Sequence, residues 1–308
     1  MNNQVKSTKW KKAYQKKWKH VIYIMPILIW WFIIGIYPRL EIFPMSLFEW
    51  NPVTGGKEFV GLYYYKIMFG RSLEYTLRDA LNTCTYILFL FLIQTVLAML
   101  LAVALQKNTK QNNFFRALFF LPMIFSTSMV SLMWAYMYDP NIGVINNFMS
   151  FLQPEKYPGF SFFSENWMAV LVVVLVHIWA NIGYPITIFT SGMNTVSEDL
   201  GEAAQVDGAT RWQSFWKITM PLMLPTILRN TLLTITTGAT ASDYQLLLGN
   251  MSQMTEYDTW ATVLYKNIRM ATDYGPACAM SVVFFVVLGT LTIIQFVVMK
   301  KVEDKVLG

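Results

Sequence analysis

Histidine, cysteine and charge are all scarce in this chain. Two histidines and two cysteines occur among 308 residues, and Asp, Glu, Lys and Arg together make up 14% of them. His20 and His177, with no pattern of supporting residues around them, do not compose a catalytic cluster. Cys84 and Cys278 each sit inside an apolar run, far from one another and without a CxxC or Cys/His neighbourhood. That excludes a disulfide framework and a thiolate metal site, and both cysteines read as small buried hydrophobes. No catalytic residue and no metal ligand is expected. A phosphate-binding GxxxxGK[ST] loop is also missing. The nearest string, TGGKE (54–58), has Glu58 where Ser or Thr would bind magnesium, so the chain is not expected to hydrolyse ATP itself. Ordinary soluble domains carry about 25% charged residues. With 55% hydrophobic residues and a mean hydropathy of +0.40, this composition belongs to a membrane protein.

Long apolar runs are what the chain has instead. A helix needs roughly 20 mostly apolar residues to cross the hydrocarbon core. Five segments approach or meet this, at 21–37, 81–105, 117–138, 167–189 and 277–299. A sixth, 226–248, is interrupted by Arg229, Asn230, Asp243 and several threonines, as in a helix that faces its neighbours rather than lipid. The fold class is therefore all-α integral membrane, with six spans over 21–299 between a basic tail (1–20) and a short tail (300–308). The first run resembles a signal-peptide core but lacks a small-residue cleavage pattern, and reads as an uncleaved span. Seven lysines and no acids occupy residues 1–19. A nucleic-acid-binding arm is one use of such a cluster; directly before a span, it sets orientation. With the amino terminus inside, inner segments carry 15 Lys/Arg and outer ones 8, which favours both termini in the cytoplasm. The outer segments are too short for a separate soluble domain.

This topology puts residues 195–221 on the cytoplasmic side, where the chain is longer than a connection requires. Thr195 and Glu198 have capping-box spacing. Leu200, Ala203, Ala204 and Val206 make a narrow, small-residue helix face, and Asp207-Gly208 marks its end. A second helix follows, with Trp212, Phe215, Trp216 and Thr219 on one face, and Pro221 and Pro225 are expected to stop it. Two uses fit: an interfacial helix lying on the headgroups, or a two-helix elbow seated in a groove of a partner.

The stretch EAAQVDGATRWQSFWKITMPLMLP (202–225) resembles the EAA loop of binding-protein-dependent ABC importer permeases. Glu202, Ala203, Ala204, Asp207, Gly208, Ala209, Phe215, Ile218 and Pro221 match that pattern, and Met220 replaces its usual Leu. FVGLYYYKIMF (59–69), LNT (81–83), FFRALFFLP (114–122), MWAYMYDPNIGVIN (133–146) and DYG (273–275) are similar to the maltose and multiple-sugar permeases, in the same order. LLLGNMSQMTEYDT (246–259) departs from the Gly-Gly-Pro outer loop of many relatives. The resemblance implies the type I ABC importer permease fold in the bacterial cytoplasmic membrane. It also implies a second, related permease as heterodimer partner and two copies of an ABC ATPase that use ATP and magnesium. An extracellular solute-binding lipoprotein would deliver a carbohydrate, and this chain would hold no cofactor. Glu202, Ala203, Ala204, Asp207, Gly208, Phe215, Ile218 and Pro221 would couple to the ATPase.

A sugar needs amides and hydroxyls for its hydroxyl groups and aromatic faces for its C–H surfaces. His177, Asn181 and Tyr184 recur on one face of the fourth span, and Asn230, Thr234, Thr237, Ala241, Tyr244 and Gln245 trace a stripe on the fifth. Ser131, Trp134 and Asp243, the last expected near the outer end of the cavity, complete the pathway candidates. His177 is read as a hydrogen-bonded packing residue. Interhelical hydrogen bonding is the competing use for all of them. Permeases for peptides, amino acids or polyols share the EAA loop. An ion-coupled secondary transporter would need ion sites near the midplane, and a membrane enzyme would need a catalytic cluster.

Overall fold

The computed structural model of the chain describes residues 23–51, 54–152, 162–163, 166–248, 257–270 and 273–307. The predicted basic tail and most of the 246–259 segment lie outside them. Fourteen helices are described: α1 (Tyr23–Met45), α2 (Tyr63–Met68), α3 (Leu73–Ala104), α4 (Lys110–Ile124), α5 (Thr127–Met137), α6 (Val144–Leu152), α7 (Asn166–Asn181), α8 (Gly183–Asn194), α9 (Glu198–Val206), α10 (Arg211–Leu222), α11 (Leu224–Thr240), α12 (Asp243–Leu248), α13 (Trp260–Met270) and α14 (Gly275–Leu307). Three of them, α1, α3 and α14, are long and apolar enough to cross a membrane. The pairs α4/α5, α7/α8 and α10/α11 also qualify, each bent, by 95°, 56° and 65°. Six spans result if each bent pair counts once. The third and fourth spans, expected at 117–138 and 167–189, are thus broken helices, whose bends hydropathy cannot register because it sums composition without direction. The fifth, expected at 226–248, follows a bend at Met223, between the Pro221 and Pro225 expected to re-aim the chain, and is interrupted at Ala241. The last helix runs on to Leu307, so the charged residues after Met299 continue the same helix.

Two compact units are distinguished. The first holds residues up to Lys66 together with 271–282. Its helix α1 is apolar up to Pro38, carries Arg39 and Glu41 in its last turns, and is exposed over most of its length, the pattern of a helix covered by lipid or another chain. A hairpin of β1 (Phe48–Trp50) and β2 (Lys57–Phe59) follows, antiparallel, with Glu49 opposite Glu58. TGGKE forms the turn and second strand of this hairpin rather than a loop opening on a helix. Asp273 of the DYG string anchors the hairpin. Its carboxylate accepts from the backbone N–H of Trp50 (2.9 Å) and Gly275 (2.9 Å) and from the Tyr64 hydroxyl. Burial and the adjoining carboxylate push the Tyr64 hydroxyl pKa up.

In the second unit the buried core centres on α7, whose Ala169, Val170, Val173, Val174 and Val176 are almost fully enclosed. Small β-branched and alanine side chains let α3, α5 and α12 approach closely, which matters because lipid supplies no hydrophobic drive for helix association. Cys84 is exposed on α3, correcting its assignment as a buried hydrophobe. The DPNIG string is a turn: Asp139 Oδ1 accepts from the N–H groups of Asn141 (2.8 Å) and Ile142 (3.0 Å), which holds its carboxyl below the ordinary range. A second polar knot joins α3 to α12 and α13. Lys266 Nζ donates to both carboxylate oxygens of Asp258 (2.9 and 2.8 Å), Asn82 donates to the Asp258 carbonyl (3.0 Å), and Gln245 Oε1 accepts from Thr259 (2.6 Å) and Thr262.

Candidate functional site

The break between α7 and α8 sets up the site. Pro185 has no N–H to return to Asn181, the last residue of α7, so regular helix cannot continue through that turn. Gly183 then lets another backbone come close: a Cβ there would lie 2.7 Å from the Phe119 carbonyl oxygen. The helix turns away, and its polar side chains open onto a cavity of about 300 Å³.

Three further elements complete the wall. From α11 come Asn230, Thr234 and Thr237, one face of the helix at i, i+4 and i+7. Gln94, nearly buried, comes from a π-helical turn in α3 (Leu90–Gln94), and Met123 from the end of α4. A π turn adds a residue to the helical register and re-aims the side chains beside it, a device common at functional positions. The fourth- and fifth-span stripes therefore meet: Asn181, Tyr184, Asn230, Thr234 and Thr237 share one cavity with His177. Its lining holds amides, hydroxyls, an imidazole and an aromatic ring, and no charged side chain. The amide nitrogen of Asn230 is buried and has no hydrogen-bond partner among the described residues.

Behind the wall a hydrogen-bonded set fixes its orientation. The Tyr86 hydroxyl and His177 Nδ1 share a hydrogen bond of 2.8 Å. Asn181 Nδ2 donates to the His177 carbonyl (3.0 Å) and to the Tyr244 hydroxyl (3.1 Å), and the rings of His177 and Tyr244 lie 5.1 Å apart. Tyr244 supports the wall without lining it. His177, read as a hydrogen-bonded packing residue, makes that hydrogen bond and also lines the cavity.

Four candidates lie elsewhere. Ser131 is completely buried, and Trp134 stacks on Tyr138 and meets Trp179 edge-on. Gln245 belongs to the Thr259/Thr262 knot. Asp243 is exposed at the start of α12, not at an end of this cavity. The cause is common to Asp243, Tyr244 and Gln245. The helix breaks at Ala241, whose ψ of 113° is extended, so the stripe does not continue past Thr240. Gln94 and Met123 were missed. A lone glutamine in LFLIQTVLAML is a readable signal, whereas nothing in the sequence sets Met123 apart.

The second candidate region is the elbow. Thr195 spends its hydroxyl on the Gly192 carbonyl (2.7 Å), so the expected capping box with Glu198 does not form, and α9 starts after Ser197. Gly208 has φ +87°, and the N–H groups of Ala209 and Gly208 return to the carbonyls of Ala204 (2.9 Å) and Gln205 (3.1 Å). This is a Schellman ending, which needs the left-handed residue. A capping box does exist one helix later. The Gln213 N–H donates to Thr210 Oγ1 (3.2 Å), and the Thr210 N–H donates to Gln213 Oε1 (2.8 Å). Helix α10 is not stopped by Pro221. It passes through a π turn (Phe215–Thr219) that accommodates the missing N–H, and breaks at Met223. Glu202, Ala203, Asp207, Gly208 and Pro221 are exposed, Ala204, Phe215 and Ile218 half-buried, and the Trp212, Phe215 and Trp216 rings cluster at 5.5 to 6.5 Å.

Broken, inward-facing polar spans joined by an exposed cap-to-cap elbow define a multi-pass transport subunit. The chain belongs to the family described as binding-protein-dependent transport system inner membrane component, whose model matches residues 94–306. It is 26% identical to the multiple sugar-binding transport system permease protein MsmF of Streptococcus mutans, over 95% of this chain and 99% of that one. It is 24% identical to the sn-glycerol-3-phosphate transport system permease protein UgpA of Escherichia coli, over 96% and 97%. Its fold is similar to a chain of a bacterial ABC transporter that imports the acidic polysaccharide alginate, with a TM-score of 0.81, 22% identity and coverage of 95% and 99%. A second alginate transporter structure, in complex with an alginate pentasaccharide-bound periplasmic protein, matches with a TM-score of 0.77 at 23% identity, over 92% and 94%.

Proposed function

We propose that this chain is a membrane-spanning permease subunit of an ATP-driven importer for a carbohydrate, an oligosaccharide delivered by an extracellular solute-binding protein. The observation that carries the reading is the meeting of Asn181, Tyr184, Asn230, Thr234, Thr237, His177 and Gln94 around one uncharged cavity between broken helices. Amide and hydroxyl groups in such a site can exchange hydrogen bonds with sugar hydroxyls, and Tyr184 offers a flat face to sugar C–H groups. An anionic solute, such as the phosphorylated polyol or acidic glycan in the names of relatives, calls for cationic partners. This wall has none, which favours a neutral glycan.

The elbow is the coupling element in this reading. Its exposed Glu202, Ala203 and Asp207 dock in a cleft of an ATPase subunit, and closure of two such subunits carries α9 and α10 with it. The spans then rock between inward- and outward-open states. A second, related permease completes the pathway, and both termini are cytoplasmic. Co-expression with a second permease, an ABC ATPase and a solute-binding protein from the same organism, followed by reconstitution in proteoliposomes, tests the proposal. ATP- and binding-protein-dependent uptake of a labelled neutral oligosaccharide is expected. Uptake that needs no ATPase, or uptake of amino acids or peptides alone, would overturn it.

A further inference from the structure

Beside the elbow, apart from the polar cavity, lies an apolar groove of about 840 Å³. One wall is the second half of α3, including Met99 and Val103, and the other is α10, including Trp212 and Trp216. Lys107, just past the end of α3, and Arg211, the first residue of α10, both line it, and no acidic residue lines any part of it. Among the described residues neither cation takes part in an ion pair. The dimensions match one leaflet. From Thr95 to Ala104 the helix rises about 14 Å, close to half of a hydrocarbon core about 30 Å thick. The Lys107 end coincides with the loss of apolar character after Ala104. Trp212, beside Arg211, is placed as in an interfacial belt.

The geometry points to a bound anionic phospholipid, its acyl chain along Met99 and Val103 and its headgroup phosphate between Lys107 and Arg211. Two cations lining an apolar groove without a carboxylate complement such a headgroup, and neutral lipids would leave both charges unmatched. The lipid fills the space between the span and the elbow, so that α10 moves against a fluid surface rather than a packed helix. The inference rests on the importer reading only in assigning the headgroup to the cytoplasmic surface. ATPase co-elution from the same preparation tests that reading separately.

The assembled complex in phosphatidylcholine nanodiscs, doped with dibrominated phosphatidylglycerol or dibrominated phosphatidylcholine, provides the test. Bromine quenches nearby tryptophans, and the signal lost in Trp212→Phe/Trp216→Phe belongs to the groove. Each cation near the surface is worth about fivefold in anionic-lipid affinity, so quenching by the phosphatidylglycerol should half-saturate at roughly 30-fold lower mole fraction. Lys107→Gln/Arg211→Gln should erase that difference, and Lys107→Arg/Arg211→Lys should keep it. Equal quenching by both lipids would reduce the groove to ordinary lipid solvation and overturn the proposal. Quenching by neither would show that a protein segment occupies it, with the same consequence.

Discussion

Asn230 places an amide nitrogen in the interior of a membrane bundle with no hydrogen-bond acceptor for it among the described residues. Leaving a buried donor unsatisfied costs about 1–3 kcal/mol, an expense a substrate hydroxyl would remove during passage. Asn230→Leu should therefore keep or raise the thermal midpoint of the purified complex while lowering uptake by roughly tenfold, the effect of losing about 1.4 kcal/mol of interaction with the moving solute. A lower midpoint together with unchanged uptake would make Asn230 a packing residue. Asn181 and Tyr244 separate in the same way. Asn181 lines the cavity, whereas Tyr244 holds Asn181 through its hydroxyl. Asn181→Ala should reduce uptake directly. Tyr244→Phe should produce a smaller loss, because it frees the Asn181 amide without removing it. Both are read by initial rates of labelled-substrate uptake, with subunit stoichiometry checked on the purified complex.

At the scale of elements, the elbow is defined by its two caps. Gly208 sits at φ +87° with open space where a Cβ would point, so the difficulty of substitution is conformational rather than steric. Proline, locked near −65°, cannot adopt that angle. Gly208→Pro should redirect α10 relative to α9 and abolish co-elution of the ATPase with a tagged permease, leaving the two permeases paired. Ala203→Trp should act differently, adding bulk to an exposed docking face, and should cut co-elution without altering the elbow itself. If both variants retained ATPase and coupled hydrolysis, the elbow would be an interfacial helix instead. The alternative carries its own signature: Trp212→Ser and Trp216→Ser would then be the damaging changes. The helix breaks are elements of the same kind. Only glycine at 183 allows the Phe119–Phe120 backbone to approach as it does.

For the molecule as a whole, the largest ionic commitment among the described residues is Asp258 with Lys266, with side chains 2% and 3% exposed. Removing one partner of a buried pair strands the other and costs about 3–5 kcal/mol. Lys266→Met should accordingly lower the thermal midpoint in detergent and reduce folded yield. Asp258→Leu/Lys266→Met should recover much of the loss, since no charge is then stranded. If the double variant were no more stable than the single, the Asn82 and Gln245 hydrogen bonds of that knot, not the charges, would be its main support.

The sequence by itself determined the solvent, the number of crossings and the family. Apolar runs about 20 residues long leave a chain few alternatives to spanning a bilayer, and the elbow's caps are local chemistry: Gly208 and the Thr210–Gln213 pair act within five residues of themselves. The register of each polar stripe was legible for the same reason, as far as a helix stayed straight. Tertiary structure decided where it did not. Proline can break a helix locally, as Pro185 does beside Ile182. The direction taken after the bends at Phe125–Ser126, Ile182 and Met223 and the break at Ala241 is not written in the periodicity, and at Gly183 it depends on the approach of Phe119 and Phe120. Those bends gathered Asn181, Asn230 and Gln94 onto one wall and carried Asp243 and Gln245 away from it. The Asp258–Lys266 pair was equally invisible, because its placement depends on where Asn82, far away along the chain, comes to rest. A helix's own residues set its periodicity; its direction after a break is set by its neighbours.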